Sequence, residues 1–279
     1  MPAPWRSMLY VPANVPRFLA KAAGAGADAI LLDLEDSIPP DRKAEARAAL
    51  PEAVPQVRAG GADVLVRVNR PLGQAVRDIE ATIAAGADGI VLTKVTGPEH
   101  VRLVAEMLAA APRPMVIFPL VENAAALPFM EAIARASPLV AGLAVGAEDL
   151  AAEIGAEADD ETIQLAKRQA IIAAVAAGVP AYGTLGSIAD FRDAARLRDL
   201  IARSRRAGFA GASCIHPSVV PLLNEGFAPS AADLDLARRQ VAAAEAATAE
   251  GRGSFVVDGR MVDEPILIRA RRILAQARE

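Results

Sequence analysis

An α/β chain built as one (β/α)8 barrel, the TIM-barrel architecture, with a C-terminal helical extension is what this sequence predicts, on three observations. Eight short apolar runs recur along residues 1–225, and Ala-rich amphipathic stretches separate them. Three of the runs end in charge: Val64-Leu65-Val66-Arg67-Val68-Asn69, Val116-Ile117-Phe118-Pro119-Leu120-Val121-Glu122 and Leu143-Ala144-Val145-Gly146-Ala147-Glu148-Asp149. An unbroken aliphatic run reads as a strand buried on both faces, so a charge at its C-terminal end falls where a parallel sheet opens to solvent. Eight β/α units in series favour a closed barrel, which leaves no edge strand to protect.

In chain order, the strand-like runs are residues 8–11, 29–32, 64–68, 89–92, 116–121, 143–145, 181–185 and 212–215. Helical patterns cover 15–25, 76–85, 99–110, 124–136, 161–177 and 189–207, and a further helix is open after Pro40. Gly24, Gly86, Gly178 and Gly208 close four of these stretches, where a left-handed residue ends a helix. Residues 25–30 and 85–90 repeat a helix-end glycine, an acidic turn and a buried strand, as repeating β/α units would. After Ile215-His216-Pro217 the pattern changes to a helix over 230–250, a Gly-rich break at 251–253, a short strand at 254–257 and a basic helix at 265–278. Residues 226–279 are not needed to close the barrel, and we expect a lid, an oligomerisation arm, or both.

A formal net charge of -4 and a pI near 5.4, with no basic run, argue against nucleic acid as a partner. No apolar run is long enough to span a bilayer. The single Cys214 excludes an internal disulfide, and residues 1–7 carry no apolar signal stretch, so a reducing, cytoplasmic location is expected.

Chemistry concentrates at the predicted strand ends. Glu122 and Asp149 follow successive strands, and two carboxylates with water and a bidentate ligand suit an oxygen-only octahedron around Mg²⁺. Both could equally be loop acids or helix caps. Strand alternation would send one of Glu148 and Asp149 inward and leaves the choice open. Arg67 on a buried strand needs an anionic partner, either a ligand carboxylate or enolate, or a barrel acid such as Asp33 or Glu35. Asp33, Glu35 and Asp36 could orient Arg67, ligate a metal through water or cap the helix after Pro40, and we read them as supports around the site; Lys94 reads as a rim charge rather than a nucleophile. His216 before Pro reads as a structural hydrogen-bonding residue, Cys214 as buried filling, Trp5 as a cover for the barrel bottom or a subunit contact, and Gly183 and Gly186 as a turn.

Leu9-Tyr10-Val11-Pro12-Ala13-Asn14, Asp33-Leu34-Glu35-Asp36-Ser37, Val66-Arg67-Val68-Asn69, Pro119-Leu120-Val121-Glu122-Asn123, Gly146-Ala147-Glu148-Asp149-Leu150, Cys214-Ile215-His216-Pro217 and Gly259-Arg260-Met261-Val262-Asp263 occur in this order. The series resembles the citrate lyase β-subunit-like proteins of the HpcH/HpaI aldolase and citrate lyase superfamily, alongside malyl-CoA and citramalyl-CoA lyases. The resemblance implies a (β/α)8 barrel, Mg²⁺, and reversible cleavage of a 3-hydroxyacyl-CoA thioester to acetyl-CoA and a 2-oxo acid. By position it implies Glu122 and Asp149 as metal ligands, with Glu122 also on the substrate. It makes Arg67 the residue holding the substrate carboxylate and enolate, and Asp263 the acid–base residue delivered to a neighbouring subunit's site. Tyr10, Arg17 and Lys21 match acyl-CoA contacts, Ile215 and His216 a segment beside the substrate, and the assembly implied is a homo-trimer or hexamer. Ala13, Ala212 and residues 183–187 depart from the family pattern on the acyl-CoA side and the pocket wall. The competing readings are citryl-CoA cleavage within a larger citrate lyase, a CoA-independent aldolase acting on 4-hydroxy-2-oxo acids, and a non-catalytic acyl-CoA-binding protein.

Overall fold

Apolar runs that are almost wholly buried form eight parallel strands: β1 (Ser7–Pro12), β2 (Ala29–Asp33), β3 (Asp63–Val68), β4 (Gly89–Leu92), β5 (Val116–Val121), β6 (Leu143–Val145), β7 (Ala181–Tyr182) and β8 (Ala212–Cys214). The computed structural model describes residues 4–188, 191–249 and 255–277. Neighbours follow the order β7-β6-β5-β4-β3-β2-β1-β8. The cylinder closes where Tyr182 bridges Gly211, with the Gly183 N–H donating to the Gly211 carbonyl at 2.8 Å and the Ala210 N–H to the Ala181 carbonyl at 2.9 Å. Gly211 is needed at that seam, because a Cβ there would overlap the Trp5 carbonyl. The predicted barrel is therefore the observed fold.

The barrel interior is filled from below by Trp5, whose ring stacks on Tyr182 at 5.8 Å and meets the edge of Phe118 at 6.3 Å. Its Nε1–H donates to Asp63 at 2.7 Å, which satisfies the indole's one polar atom. Met8, Leu31, Leu65, Val91 and Phe118 complete this cluster, and each such side chain contributes roughly 1.5–3 kcal/mol by leaving water. Trp5 thus covers the barrel bottom.

Several boundaries differ from the sequence reading. β7 stops after two residues because Gly183 turns to a φ of 147°, and β8 stops at Cys214 before the turn that enters the 3₁₀ helix Pro217–Val219. Residues 124–136 divide into a 3₁₀ stretch Ala124–Phe129, which contains Pro128, and a short α-helix Met130–Ala134. The helix expected from 189 begins at Ala194, where the Asp193 carboxylate caps the Arg196 N–H; residues 189–190 lie outside the described residues. Gly86, Gly178 and Gly208 take positive φ, but Gly24 stands at −95° and the left-handed residue of that connection is Gly26. A helix the sequence reading lacked, Ala147–Ile154, follows β6 directly. Glu148 and Asp149 therefore occupy a first helical turn, and strand alternation does not apply to them.

The chain divides into two compact units, Trp5–Glu225 and a second that comprises Met1–Pro4 with Gly226–Glu279. The second contains the helix Ala231–Ala249, a hairpin of Phe255–Val257 with Arg260–Val262, and the helix Glu264–Ala275. Asp258 and Gly259 make the hairpin turn with φ of 51° and 75°, the left-handed pair that two-residue turns require. Ala244, Val262 and Leu267 form its small core. The Gly-rich break at 251–253 lies outside the described residues. Among the described residues no helix is long and apolar enough to cross a membrane.

Candidate active site

Parallel register sets Asp33 beside Arg67 at the C-terminal ends of β2 and β3. The Arg67 fork donates twice to Asp33, Nε to Oδ1 and Nη2 to Oδ2, each at 2.7 Å. Its Nη1 lies 3.2 Å from both Glu35 Oε2 and Asp36 Oδ2, and the guanidinium sits 4.8 Å from the centre of the Tyr10 ring. Asp33 also accepts from the Glu35 and Ser37 N–H groups at 2.8 and 3.0 Å. Burial alone would raise the Asp33 pKa, but the Arg67 hydrogen bonds and charge outweigh it and hold the carboxyl below its ordinary range. Of the two partners open to Arg67, the structure shows the barrel acids: both edges of the Asp33 carboxylate take the fork, so it is not free to clasp a ligand carboxylate bidentately.

Lys94, two residues beyond β4, has a φ of 48°, a costly conformation for a side chain of this size. That twist lets one residue serve two sides of the rim. Its N–H donates to Glu122 Oε2 at 2.7 Å, while its Nζ donates to Glu35 Oε1 at 2.6 Å and lies 3.3 Å from Asp149 Oδ2. Burial would lower the Lys94 pKa, but Glu35, Asp36 and Asp149 together raise it, so the amine stays protonated and is unsuited to Schiff-base chemistry.

Glu122, just past β5, is buried, and burial foremost pushes its pKa up to about 7. The nearby Asp149 and Glu35 charges add to the rise, while the Lys94 N–H and Arg67 oppose it. Gly146 makes room for this side chain, since a Cβ there would overlap Glu122 Cγ and Oε1. Glu122 and Asp149 are thus an all-oxygen pair short of positive charge, which fits a hard divalent cation. Among the described residues no group of three or more His, Cys, Asp or Glu gathers as a metal cluster, so such an ion would keep places for water and a bidentate ligand.

A cavity of about 500 Å³ opens over the barrel interior, with Tyr10, Arg67, Glu122, Asp149 and Ile215 in its wall. The sequence-predicted residues brought together are these five. Arg17 is exposed over the Phe18 ring at 4.8 Å and Lys21 is exposed in the last turn of the helix Pro16–Ala23; neither belongs to the cavity wall. His216 also stands outside the wall: its Nδ1 meets Ser218 Oγ at 2.7 Å and accepts from the Ser218 N–H, and its ring stacks on Phe191 at 4.2 Å. Asp263 belongs to the C-terminal unit, where it caps the helix Glu264–Ala275 by accepting from the Ile266 N–H. Cys214 is buried, and burial pushes its thiol pKa up to about 12.

Sequence reasoning missed Lys167, a buried residue of the cavity wall. A signal was present, because Lys167 sits four residues from both Ile163 and Ile171 on the buried stripe of the helix Glu161–Ala177. The full reach of Lys94 had no such signal, since nothing in the residue type foretells its left-handed backbone.

A closed parallel barrel whose rim gathers Arg67, Glu122 and Asp149 around one cavity, with Lys94 touching the two acids, has the layout of a (β/α)8 enzyme. The chain belongs to the HpcH/HpaI aldolase/citrate lyase family, whose model matches residues 6–217. It is 36% identical over 279 residues to a (3S)-malyl-CoA thioesterase of Cereibacter sphaeroides, covering 98% of this chain and 95% of the relative. It is 33% identical to the citrate lyase subunit beta of Escherichia coli, covering 98% and 93%. Among solved structures it is similar to protein CitE of Mycobacterium tuberculosis in complex with magnesium, acetoacetate and coenzyme A, with a TM-score of 0.80, 30% identity and coverage of 99% and 98%. The chain is thus citrate lyase β-like in both sequence and fold.

Proposed function

We propose that this protein is a Mg²⁺-dependent carbon–carbon lyase that cleaves a 3-hydroxyacyl-CoA of the citramalyl-, malyl- or citryl-CoA type to acetyl-CoA and a 2-oxo acid. One observation carries the reading: buried Glu122 and half-exposed Asp149, joined through Lys94, share a cavity wall with the half-buried cation Arg67. The magnesium and coenzyme A of the CitE complex support it. Glu122 and Asp149 would hold the Mg²⁺, which when bound supplies Lewis-acid stabilisation of an alkoxide oxygen. Lys94 orients both carboxylates and, staying protonated, leaves the proton chemistry to other groups. Arg67, clamped by Asp33 and resting on Tyr10, places a fixed positive charge in the cavity where enolate charge develops, so no reorganisation is required as the bond breaks. Asp263 exchanges the proton at the nascent methyl carbon, delivered from a neighbouring copy in a trimer or hexamer. Arg17 and Lys21 supply exposed cations for the acyl-CoA arm, and Ile215 and His216 border it.

A second reading, hydrolysis of the thioester after or instead of cleavage, is favoured by the similarity to the malyl-CoA thioesterase. The test is a coupled assay of 2-oxo acid and free CoA thiol from citramalyl-, malyl-, methylmalyl- and citryl-CoA, with Mg²⁺ and with chelator. Metal-dependent 2-oxo acid without free thiol supports the lyase, and both products together support added thioesterase activity. Neither product, with pyruvate enolisation retained, would move the chain to a CoA-independent 4-hydroxy-2-oxo acid aldolase; acyl-CoA binding without turnover would make it a binding protein.

A further inference from the structure

Among the described residues, Lys167 differs from Arg67, the other cation of the cavity wall, in having no anion bound to it. Its residue is 6% exposed, and among the described residues its ammonium makes no hydrogen bond or ion pair, whereas Arg67 and Lys94 each touch three carboxylates. The Lys167 stem is buried and its ammonium opens only to the cavity; held there without a bonded anion it is costly, and an apolar residue at this position of an Ala-rich stripe would remove that cost. Burial pulls its pKa down, and the more distant Glu148 and Asp159 charges only oppose that. The cavity wall also includes Gly183, Thr184, Gly186 and Ser187, small residues that leave room for a ligand substituent.

We propose that Lys167 forms an anion subsite for a second carboxylate on the 2-oxo acid portion of the substrate, selecting dicarboxylic over monocarboxylic 2-oxo acids. This rests on the lyase reading, in which the first carboxylate is held on the Glu122 and Asp149 side. A carboxylate that meets Lys167 satisfies the ammonium without disturbing the Arg67 and Lys94 contacts, which are already complete.

The test uses the full chain with saturating Mg²⁺ and calorimetric titration of three probes: pyruvate, 2-oxobutyrate and oxaloacetate. Oxaloacetate replaces the terminal methyl of 2-oxobutyrate with a carboxylate, so the ratio of their Kd values isolates the added charge. The wild type should favour oxaloacetate by about tenfold or more. Lys167→Met, which keeps length and suits the apolar stripe, should bring the ratio close to one, and Lys167→Arg should retain most of it. A wild-type ratio near one while pyruvate binds, or a ratio that survives in Lys167→Met, overturns the subsite and leaves the lyase reading standing. Failure of all three probes to bind the wild type in Mg²⁺ overturns the lyase reading and the subsite with it.

Discussion

The two halves of the barrel rim handle charge in opposite ways. On the side formed by β1 to β5, strands of four to six residues carry Asp33, Arg67, Lys94 and Glu122 to or just past their ends; the fold supplies ionic partners for the first three and a backbone N–H for Glu122. On the side formed by β6 to β8, strands of two or three residues give way early to loops, and among the described residues Lys167 lines the cavity with no bonded anion. The difference teaches how one barrel separates two tasks. A long strand in a parallel register fixes where its last side chain stands, which suits groups that must be preorganised. A short strand yields sooner to loop, which suits a wall shaped around a variable substituent.

Arg67→Lys should break the preorganised side most severely. Lysine keeps the charge but cannot donate in parallel to both oxygens of Asp33, so the cation loses its fixed direction. We expect kcat to fall by about 10²–10³-fold while the barrel stays folded, read by steady-state cleavage beside urea unfolding. Cleavage near the wild-type rate would mean the Arg67 and Asp33 clamp serves stability alone.

Glu122→Gln should weaken Mg²⁺ binding by at least about 10–100-fold, and Lys94→Met by about tenfold, because loss of a group that orients a metal ligand ranks below loss of the ligand. Calorimetric titration with Mg²⁺ reads both without turnover. Equal losses would make Lys94 as important as the carboxylate it orients, and no loss in Glu122→Gln would remove the metal site from this side of the rim. Gly146→Ala sharpens the same point, since its added methyl must push Glu122 aside; we expect an effect no larger than that of Glu122→Gln.

Much of the preorganised side was legible because its determinants are local and periodic. Buried runs ending in Arg67 and Glu122 announce both the strand and the rim, and the register of β2 with β3 then brings Asp33 to Arg67. Asp149 was legible as a strand-end acid but not as a helical one, since Gly146 and the residues after it read equally as loop or helix start. Lys94 was seen as a rim charge, while its role depends on one backbone torsion that tertiary contacts fix. The open side was less legible: β7 was overextended by three residues because Thr184 and Leu185 resemble strand residues, and Gly183 overrides them. Lys167 was passed over because a lysine in an Ala-rich helix reads as surface until its spacing from Ile163 and Ile171 is weighed.

One residue on the preorganised side departs from its rule. Among the described residues His100 Nδ1 is the buried side-chain nitrogen or oxygen without a hydrogen-bond partner, and burial foremost, with Arg70 nearby, lowers its pKa to about 4. The unfolded chain, with a histidine pKa of about 6.5, takes up the proton first as pH falls. The stabilisation from keeping His100 neutral is therefore whole above about pH 6.5, declines through the window below it, and is exhausted near pH 4. Glu122, with its pKa pushed up to about 7, also titrates across this window, so the informative quantity is the difference between two proteins. His100→Gln should lose about 1 kcal/mol less stability than the wild type between pH 7 and pH 5, read from urea midpoints at each pH. Parallel curves would show that His100 finds a partner in solution, and the preorganised side would then be satisfied throughout.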